Sequence, residues 1–130
     1  MLIITLRTDK PEAEIGLYDN EKQLAYSTWE AHRKLAETLH AKVKKLLDSE
    51  GKSFIDLEGI VIYKGPGSFT GLRIGFSVAN ALADSIQIPI IAEPNKDWVL
   101  AGISRTMAGE NEIIAHPDYG SAPRVTTPRK

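Results

Sequence analysis

The sequence predicts an α/β fold built on one mixed five-stranded sheet. Three short stretches near the amino terminus have strand composition or a two-residue alternation, and helical and strand patterns alternate after them. An antiparallel meander followed by strand–helix–strand crossovers is typical of a mixed sheet with helices packed on it. A length of 130 residues suits one globular domain with one hydrophobic core.

The first three strands are predicted at residues 2–6, 13–18 and 24–28. Residues 2–6 form a run of β-branched and aliphatic side chains, which suits a buried strand. In the other two stretches apolar and polar residues alternate, and Asp19 and Asn20 between them supply turn chemistry. We expect these strands to form a meander.

Helical periodicity begins at Ala31 and continues for about five turns, and Gly51 is placed to terminate this amphipathic helix. A buried strand at residues 60–63 then leads through a glycine-rich joint, residues 65–75, into a second helix that covers residues 72–86.

The last predicted elements are a strand at residues 88–92 and a short helix that ends at Met107. Residues 1–110 are therefore predicted to form the domain. Residues 111–130 contain Pro117, Pro123 and Pro128, and this spacing of prolines favours an extended tail.

Composition excludes several classes of function. Sixteen basic and seventeen acidic residues give a net charge of -1, so no bulk field gathers nucleic acid or an anionic membrane. Any contact with nucleic acid must be local. The absence of cysteine excludes disulfides, thiolate nucleophiles and cysteine metal sites. The amino terminus lacks the pattern of a signal peptide or membrane span, which predicts a cytoplasmic protein without a membrane partner.

The joint matches neither the Walker loop nor the glycine spacing of a dinucleotide-binding fingerprint. A Walker loop has four residues between its glycines and then Lys-Ser/Thr, whereas Gly67 and Gly71 enclose three residues. Two interpretations stay open. Backbone N–H groups at the start of the helix could bind an anion, with Gly67, Ser68, Thr70 and Gly71 as weak candidates. Alternatively the joint is a structural turn, capped by Ser68 or Thr70, with Phe69 in the core.

Small residues recur at every fourth position of the second long helix, at Gly71, Gly75, Ala79 and Ala83. They form a smooth ridge that lets another backbone approach closely. The ridge packs either against this chain or against another subunit, and periodicity alone leaves both open. Arg73 lies in the first turn, where a cation is unfavourable unless paired, which suggests an anionic partner nearby.

No catalytic or metal site is predicted. The histidines, His32, His40 and His116, are scattered along the chain. His32 and His40 are eight residues apart on one helix, about 12 Å and too far for one metal ion. A nuclease that uses two metal ions would need several clustered carboxylates, and the predicted strand ends lack them.

The joint, residues 65–75, resembles the signature of the TsaB (YeaZ-like) family, and the resemblance covers roughly the first hundred residues. It implies an RNase-H-like domain of the actin/Hsp70 superfamily. It also implies a TsaD-type catalytic subunit as partner, with which family members make N6-threonylcarbamoyladenosine at position 37 of tRNAs.

The resemblance also implies where a partner binds. Helices of the N-terminal domain form the dimer interface in that family, either between two TsaB chains or between TsaB and TsaD. This favours an interface role for the small-residue ridge, while homodimer or heterodimer preference stays open. The expected interface residues are His32, Leu35, Gly71, Arg73, Gly75, Ala79 and Ala83.

The sequence departs from that family in ways that suggest a short single-domain form without chemistry of its own. Leu6 lies where the first strand normally ends in an aspartate near the phosphates, and no second domain is available to close a nucleotide cleft. Asn95 and Val99 align with a metal-binding histidine pair of catalytic relatives. We therefore expect no cofactor and no metal.

The resulting hypothesis is a noncatalytic scaffold subunit that meets tRNA only indirectly, through the complex. The alternative is a small nucleotide- or anion-binding module that acts through the loop from Gly65 to Gly71. A basic cluster, Lys42, Lys44, Lys45 and Lys52, is either a solvated face or a contact for tRNA or an acidic partner.

Overall fold

The computed structural model describes residues 1–120, except for the side chain of His32. A five-stranded sheet lies at its centre, in the order β3-β2-β1-β4-β5. The first three strands are antiparallel, and β4 and β5 run parallel to β1, which confirms the predicted mixed sheet. The strands are β1 (Leu2–Arg7), β2 (Glu12–Asp19), β3 (Lys22–Glu30), β4 (Gly59–Tyr63) and β5 (Ile90–Glu93).

Three α-helices pack on the sheet: α1 (Leu35–Ser49), α2 (Phe69–Ile86) and α3 (Trp98–Met107). Short 3-10 helices precede α1 and β4, at His32–Lys34 and Phe54–Asp56. Among residues 1–120, no helix combines the length and the apolar character needed to cross a bilayer.

Two element ends follow from local hydrogen bonding. Gly51 has a φ of +68° just beyond the cap of α1, as predicted for a glycine that ends a helix. The last strand begins at Ile90, two residues later than predicted. Ile88 donates its N–H to the Ala83 carbonyl at 3.0 Å and thereby belongs to the end of α2.

The sheet separates two cores. On one face α1 and α2 cover the larger core, which contains Ile4, Leu6, Ile15 and Ile62 among others. On the other face α3 packs mainly on β4 and β5, around the smaller cluster Ile3, Val61, Trp98 and Ile103, to which β1 contributes Ile3. Gly102 allows this approach, since a Cβ there would overlap a Val61 methyl group.

The two edges of the sheet differ. At the β5 edge, Asn111 and Glu112 lie beside the strand and accept its outward N–H groups. Ile90 N donates to Asn111 Oδ1 at 3.1 Å, and Ala92 N donates to Glu112 Oε2 at 3.0 Å. The opposite edge is β3, which pairs only with β2 among the strands of this sheet.

Arg105 of α3 forms ion pairs with residues at this covered edge. Its guanidinium forms ion pairs with Glu93 at 2.7 Å, Glu110 at 2.8 Å and Glu112 at 3.1 Å. The hydrogen bond to Glu110 and the other carboxylates raise the pKa of Arg105 against the opposing effect of burial. The side chain therefore stays charged and links three parts of the chain.

Candidate functional site

The glycine-rich joint connects β4 to α2 at the carboxyl end of the parallel strands. Ser68 is the N-cap residue of α2, and its Oγ accepts a hydrogen bond from the Gly71 N–H at 3.3 Å. The Ser68 N–H donates to the Asp9 backbone carbonyl at 2.7 Å, which ties the joint to the turn after β1. Of the two predicted caps, Ser68 or Thr70, the structure selects Ser68.

The prediction that Phe69 fills the core is wrong. Its side chain is 51% exposed and stacks on the Tyr119 ring with 4.5 Å between centroids. Leu72, one turn later, is fully buried instead. Phe69 is the first residue of α2, and at the start of this helix its side chain faces away from the sheet.

The small-residue ridge of α2 packs against this chain itself, which corrects its expected role as a partner surface. A Cβ at Gly71 would overlap the Thr8 carbonyl, and one at Gly75 would overlap Thr8 Oγ1. Ala79 and Ala83 are also buried in the large core. The small side chains let α2 approach the end of β1 closely.

The other expected interface residues have different environments. Leu35 is 4% exposed and belongs to the large core, so its side chain faces inward as well. Arg73 is exposed and takes part in none of the ion pairs formed within residues 1–120. The side chain of His32 lies outside the described part of the chain.

A carboxylate lies next to the glycine-rich loop. Gly67 packs directly against Asp9, whose carboxylate accepts two hydrogen bonds from Arg7, at 2.8 and 3.2 Å. The Arg7 guanidinium also lies 4.0 Å from the Tyr63 ring centroid. Burial lowers the pKa of Arg7, and the hydrogen bond and charge of Asp9 more than compensate, so that it rises. Arg7 is thus engaged within the chain.

These contacts weaken the anion-binding interpretation. A pocket of about 180 Å³ borders Ser68, Thr70 and Gly71 at the start of α2. The Gly71 N–H is already bonded to Ser68, and the nearby Lys10 forms an ion pair with Glu14 at 3.4 Å. A structural turn accounts for the loop without a ligand.

Residues 114–120 cross over the joint. Asp118 N donates to the Lys64 carbonyl at 2.8 Å, and Lys64 Nζ donates to the His116 carbonyl at 3.0 Å. Gly65, with a φ of +107°, makes room for this crossing, because a Cβ there would overlap the Asp118 carbonyl. The segment therefore covers the start of the joint, at Gly65 and Pro66, and none of its residues lines the pocket.

Asn80 holds the covering segment, and sequence reasoning missed it. Its side-chain amide donates to the Ala115 carbonyl and accepts from the Ala115 N–H, both at 2.9 Å. An asparagine in the middle of an alanine-rich helix is unfavourable unless its amide has partners. The presence of Asn80 in this helix was therefore the sequence signal that its side chain has hydrogen-bond partners.

A shallow apolar groove lies between α1 and α2 on the outside of the helical layer. It has a volume of about 300 Å³ and is lined by His40, Val78, Ala81, Leu82 and Ser85. Ala81 and Ser85 are exposed, whereas Val78 and Leu82 are half-buried against the core. The groove could not be predicted from local sequence patterns, because its residues come from two helices.

No metal centre is visible in the described residues. Within residues 1–120, no three His, Cys, Asp or Glu side chains are grouped closely enough to hold a metal ion. His40 stacks on the Phe54 ring at 4.7 Å between centroids, and His116 lies in the segment that covers the joint. Among the described residues, neither His40 nor His116 has an acidic partner in an ion pair.

The sequence matches a family described as TsaD, tRNA N6-adenosine threonylcarbamoyltransferase, over residues 29–111. It is 37% identical over 102 residues to the tRNA threonylcarbamoyladenosine biosynthesis protein TsaB of Bacillus subtilis, covering 78% of this chain and 44% of that protein. The chain thus spans less than half the length of the curated TsaB protein it matches.

Solved structures agree with the sequence relatives. YeaZ from Pseudomonas aeruginosa superposes with a TM-score of 0.64 and 27% identity, over 73% of this chain and 45% of YeaZ. RuvC of Thermus thermophilus, at 13% identity and a TM-score of 0.55, covers 92% of this chain and 86% of RuvC, and this similarity shows the RNase-H-like fold alone. The chain therefore belongs to the TsaB/TsaD family of tRNA threonylcarbamoyladenosine biosynthesis proteins, and within it is TsaB-like, or YeaZ-like.

Proposed function

We propose that this chain is a noncatalytic subunit that binds a TsaD-type enzyme and supports threonylcarbamoyl modification of adenosine 37 in tRNAs. Its membership of a family named for both TsaB and TsaD proteins supports this role. The chemistry belongs to the partner in this proposal. The surface that binds it lies within residues 1–110.

The observation that carries the proposal is the exposed groove between α1 and α2. Its floor is apolar, from Val78 and Leu82, and its rim holds the small exposed side chains of Ala81 and Ser85. Such a surface accepts a helix from another protein without deep rearrangement. We place the partner here rather than on the ridge of Gly75 and its neighbours.

The position of Arg7 supports a noncatalytic role. It lies at the end of β1, next to the glycine-rich loop, and its charge is paired with Asp9. Because the Asp9 carboxylate is paired with Arg7, it is not free to hold a metal–phosphate group at this strand end.

The first test is binding of the purified full chain to a TsaD-type subunit, with Ser85→Arg as the variant. An arginine at this exposed rim position adds bulk and charge to the groove, so we expect the Kd to rise at least about tenfold. Isothermal titration calorimetry measures the effect, and circular dichroism checks the fold.

The matched control is Ser104→Arg, the same substitution at an exposed position of α3 on the other side of the sheet. We expect its affinity to equal that of the unchanged chain. Equal weakening by both variants, or by neither, contradicts the proposed groove, and no complex at micromolar concentration contradicts the proposed function. Sedimentation of the chain alone shows whether it forms a homodimer in the absence of the enzyme subunit.

A further inference from the structure

Three lysines lie on one flank of α1 and of the residue that precedes it. At about 100° per residue, Lys34, Lys42 and Lys45 fall within roughly 80° of one another around the helix axis. Lys44 falls outside this flank, roughly 100° from Lys45 and 160° from Lys42. The flank with the lysines faces β3, because Trp29 of β3 donates its indole N–H to Thr38 of the same flank at 3.0 Å.

The lysine flank and β3 enclose a groove with a mixed polar and apolar lining. It has a volume of about 210 Å³. The groove is lined by Tyr26, Ser27, Lys42, Lys45, Leu46 and Ser49. The Tyr26 hydroxyl donates to Glu14 Oε1 and the Ser49 hydroxyl donates to the Leu46 carbonyl, both at 2.6 Å, so Ser27 supplies the hydroxyl donor of the groove. In addition, β3 is an edge strand with backbone groups that point away from the sheet. Hydroxyls, backbone N–H groups and ammonium groups are all donors to phosphate oxygens.

The two lysines of the groove lack carboxylate partners. Neither Lys42 nor Lys45 forms an ion pair within the described residues 1–120, whereas their neighbour Lys44 pairs with Asp48 at 3.0 Å. The Lys42 ammonium instead lies 5.6 Å from the centroid of the Trp29 ring, which orients it without neutralising it. Lys42 and Lys45 therefore bring positive charge to the groove, while the carboxylate of Glu14 lies beside it, at 2.6 Å from the Tyr26 hydroxyl.

We propose that this α1–β3 groove binds the phosphodiester backbone of the RNA substrate. The identity of that RNA as a tRNA rests on the proposed function. From Lys34 to Lys45 the flank extends about 16 Å along the helix axis, enough to follow several phosphates of one strand. Its aliphatic residue, Leu46, is buried, and the exposed ring of Tyr26 is held in place by the hydrogen bond from its hydroxyl to Glu14.

The proposed RNA groove is separate from the groove proposed for the enzyme partner. His40, which lines the α1–α2 groove, lies roughly 160° around the α1 axis from Lys42. The two surfaces can therefore be occupied together. They can also be tested separately.

The test compares Lys42→Gln/Lys45→Gln with Lys44→Gln as the matched control on the same helix. Fluorescence anisotropy with a labelled tRNA transcript measures binding to the full chain, alone and with a TsaD-type subunit. At about 50 mM salt we expect the double variant to bind tRNA about 5- to 10-fold more weakly. The slope of log K against log salt should fall by about 1.5, since each lost phosphate contact removes about 0.7–0.9.

We expect Lys44→Gln to bind tRNA within about twofold of the unchanged chain. Equal losses for the double variant and the control, or no loss for either, would overturn the proposal, as would undetectable tRNA binding by the unchanged chain up to about 100 μM. The exposed single variant Lys45→Gln gives the same comparison if loss of the Lys42–Trp29 contact disturbs folding.

Partner binding provides the second readout. The double variant should bind the TsaD-type subunit with unchanged affinity. Loss of that affinity with intact tRNA binding would assign the flank to a protein and overturn the inference. Absence of a complex with the unchanged chain contradicts the proposed function instead, and leaves the tRNA measurement on the chain alone to decide this inference.

Discussion

Thr8 and Gly75 mark the closest approach of α2 to the sheet. Thr8 is 1% exposed, and its hydroxyl has no hydrogen-bond partner among the described residues. A Cβ at Gly75 would overlap this hydroxyl, so the glycine is needed for the helix to lie where it does. The small-residue ridge of α2, which suggested a surface for another protein, is thus explained by packing within this chain.

Replacement of Gly75 by alanine should reduce stability. The added methyl group overpacks the contact with Thr8, and we expect the free energy of unfolding to fall by about 1–3 kcal/mol. This loss exceeds the gain of up to about 1 kcal/mol in helix propensity. Urea denaturation followed by circular dichroism measures the difference.

The double variant Thr8→Ala/Gly75→Ala isolates the contact. Truncation of Thr8 removes the hydroxyl and methyl groups that the new methyl group would overlap, although the Thr8 Cβ remains at 2.9 Å, so the double variant should regain part of the loss. Ser77→Ala, an exposed position on the same helix, should change stability by no more than about 0.5 kcal/mol. A double variant no more stable than Gly75→Ala would show that the strain lies elsewhere.

At the scale of elements, α2 both packs on the sheet and holds the segment that follows α3. One side chain, Asn80, satisfies both backbone groups of Ala115. Ala115 is 2% exposed, so water does not readily replace these hydrogen bonds. The segment is fixed by the helix it crosses and not by a strand of its own.

Asn80→Ala should release this segment locally. Loss of two half-buried hydrogen bonds costs about 1–2 kcal/mol, which corresponds to roughly 5- to 30-fold faster hydrogen exchange for amides near Ala115. Exchange within β4 should stay unchanged. Mass spectrometry of exchanged peptides measures both, with Ser77→Ala as control, and unchanged protection near Ala115 would contradict the assigned role.

For the whole molecule, the predicted domain boundary at residue 110 conflicts with the hydrogen bonds that residues 111–118 form with the preceding part of the chain. Asn111 and Glu112 cover the β5 edge, and the chain then reaches Asp118 across the joint. We infer that the folded unit includes residues 111–120.

A chain that ends after residue 110 should be less stable than one that ends after residue 120. Several hydrogen bonds worth about 0.5–1.5 kcal/mol each are lost, so we expect a decrease of at least about 3 kcal/mol in the free energy of unfolding. Thermal and urea denaturation of both chains test this, and both lack the same last ten residues. Equal stability would support the boundary at residue 110.

The sheet, its helices and their order followed from the sequence because periodicity and turn chemistry act over a few residues. The alternation in β2, the helical spacing in α1 and the glycine after α1 all predicted local structure correctly. The Ser68 cap was one of two predicted choices, and the glycine-rich joint supplied the resemblance that led to the family.

Tertiary structure alone decided which surfaces remain free. A ridge of small residues packs equally well on its own sheet or on another subunit, and only the position of Thr8 shows that this chain covers it. The α1–α2 groove, the lysine flank beside β3 and the Asn80 contact each join residues far apart in sequence. Such contacts depend on how helices and strands pack. Local periodicity contains no information about which residues distant in sequence become neighbours.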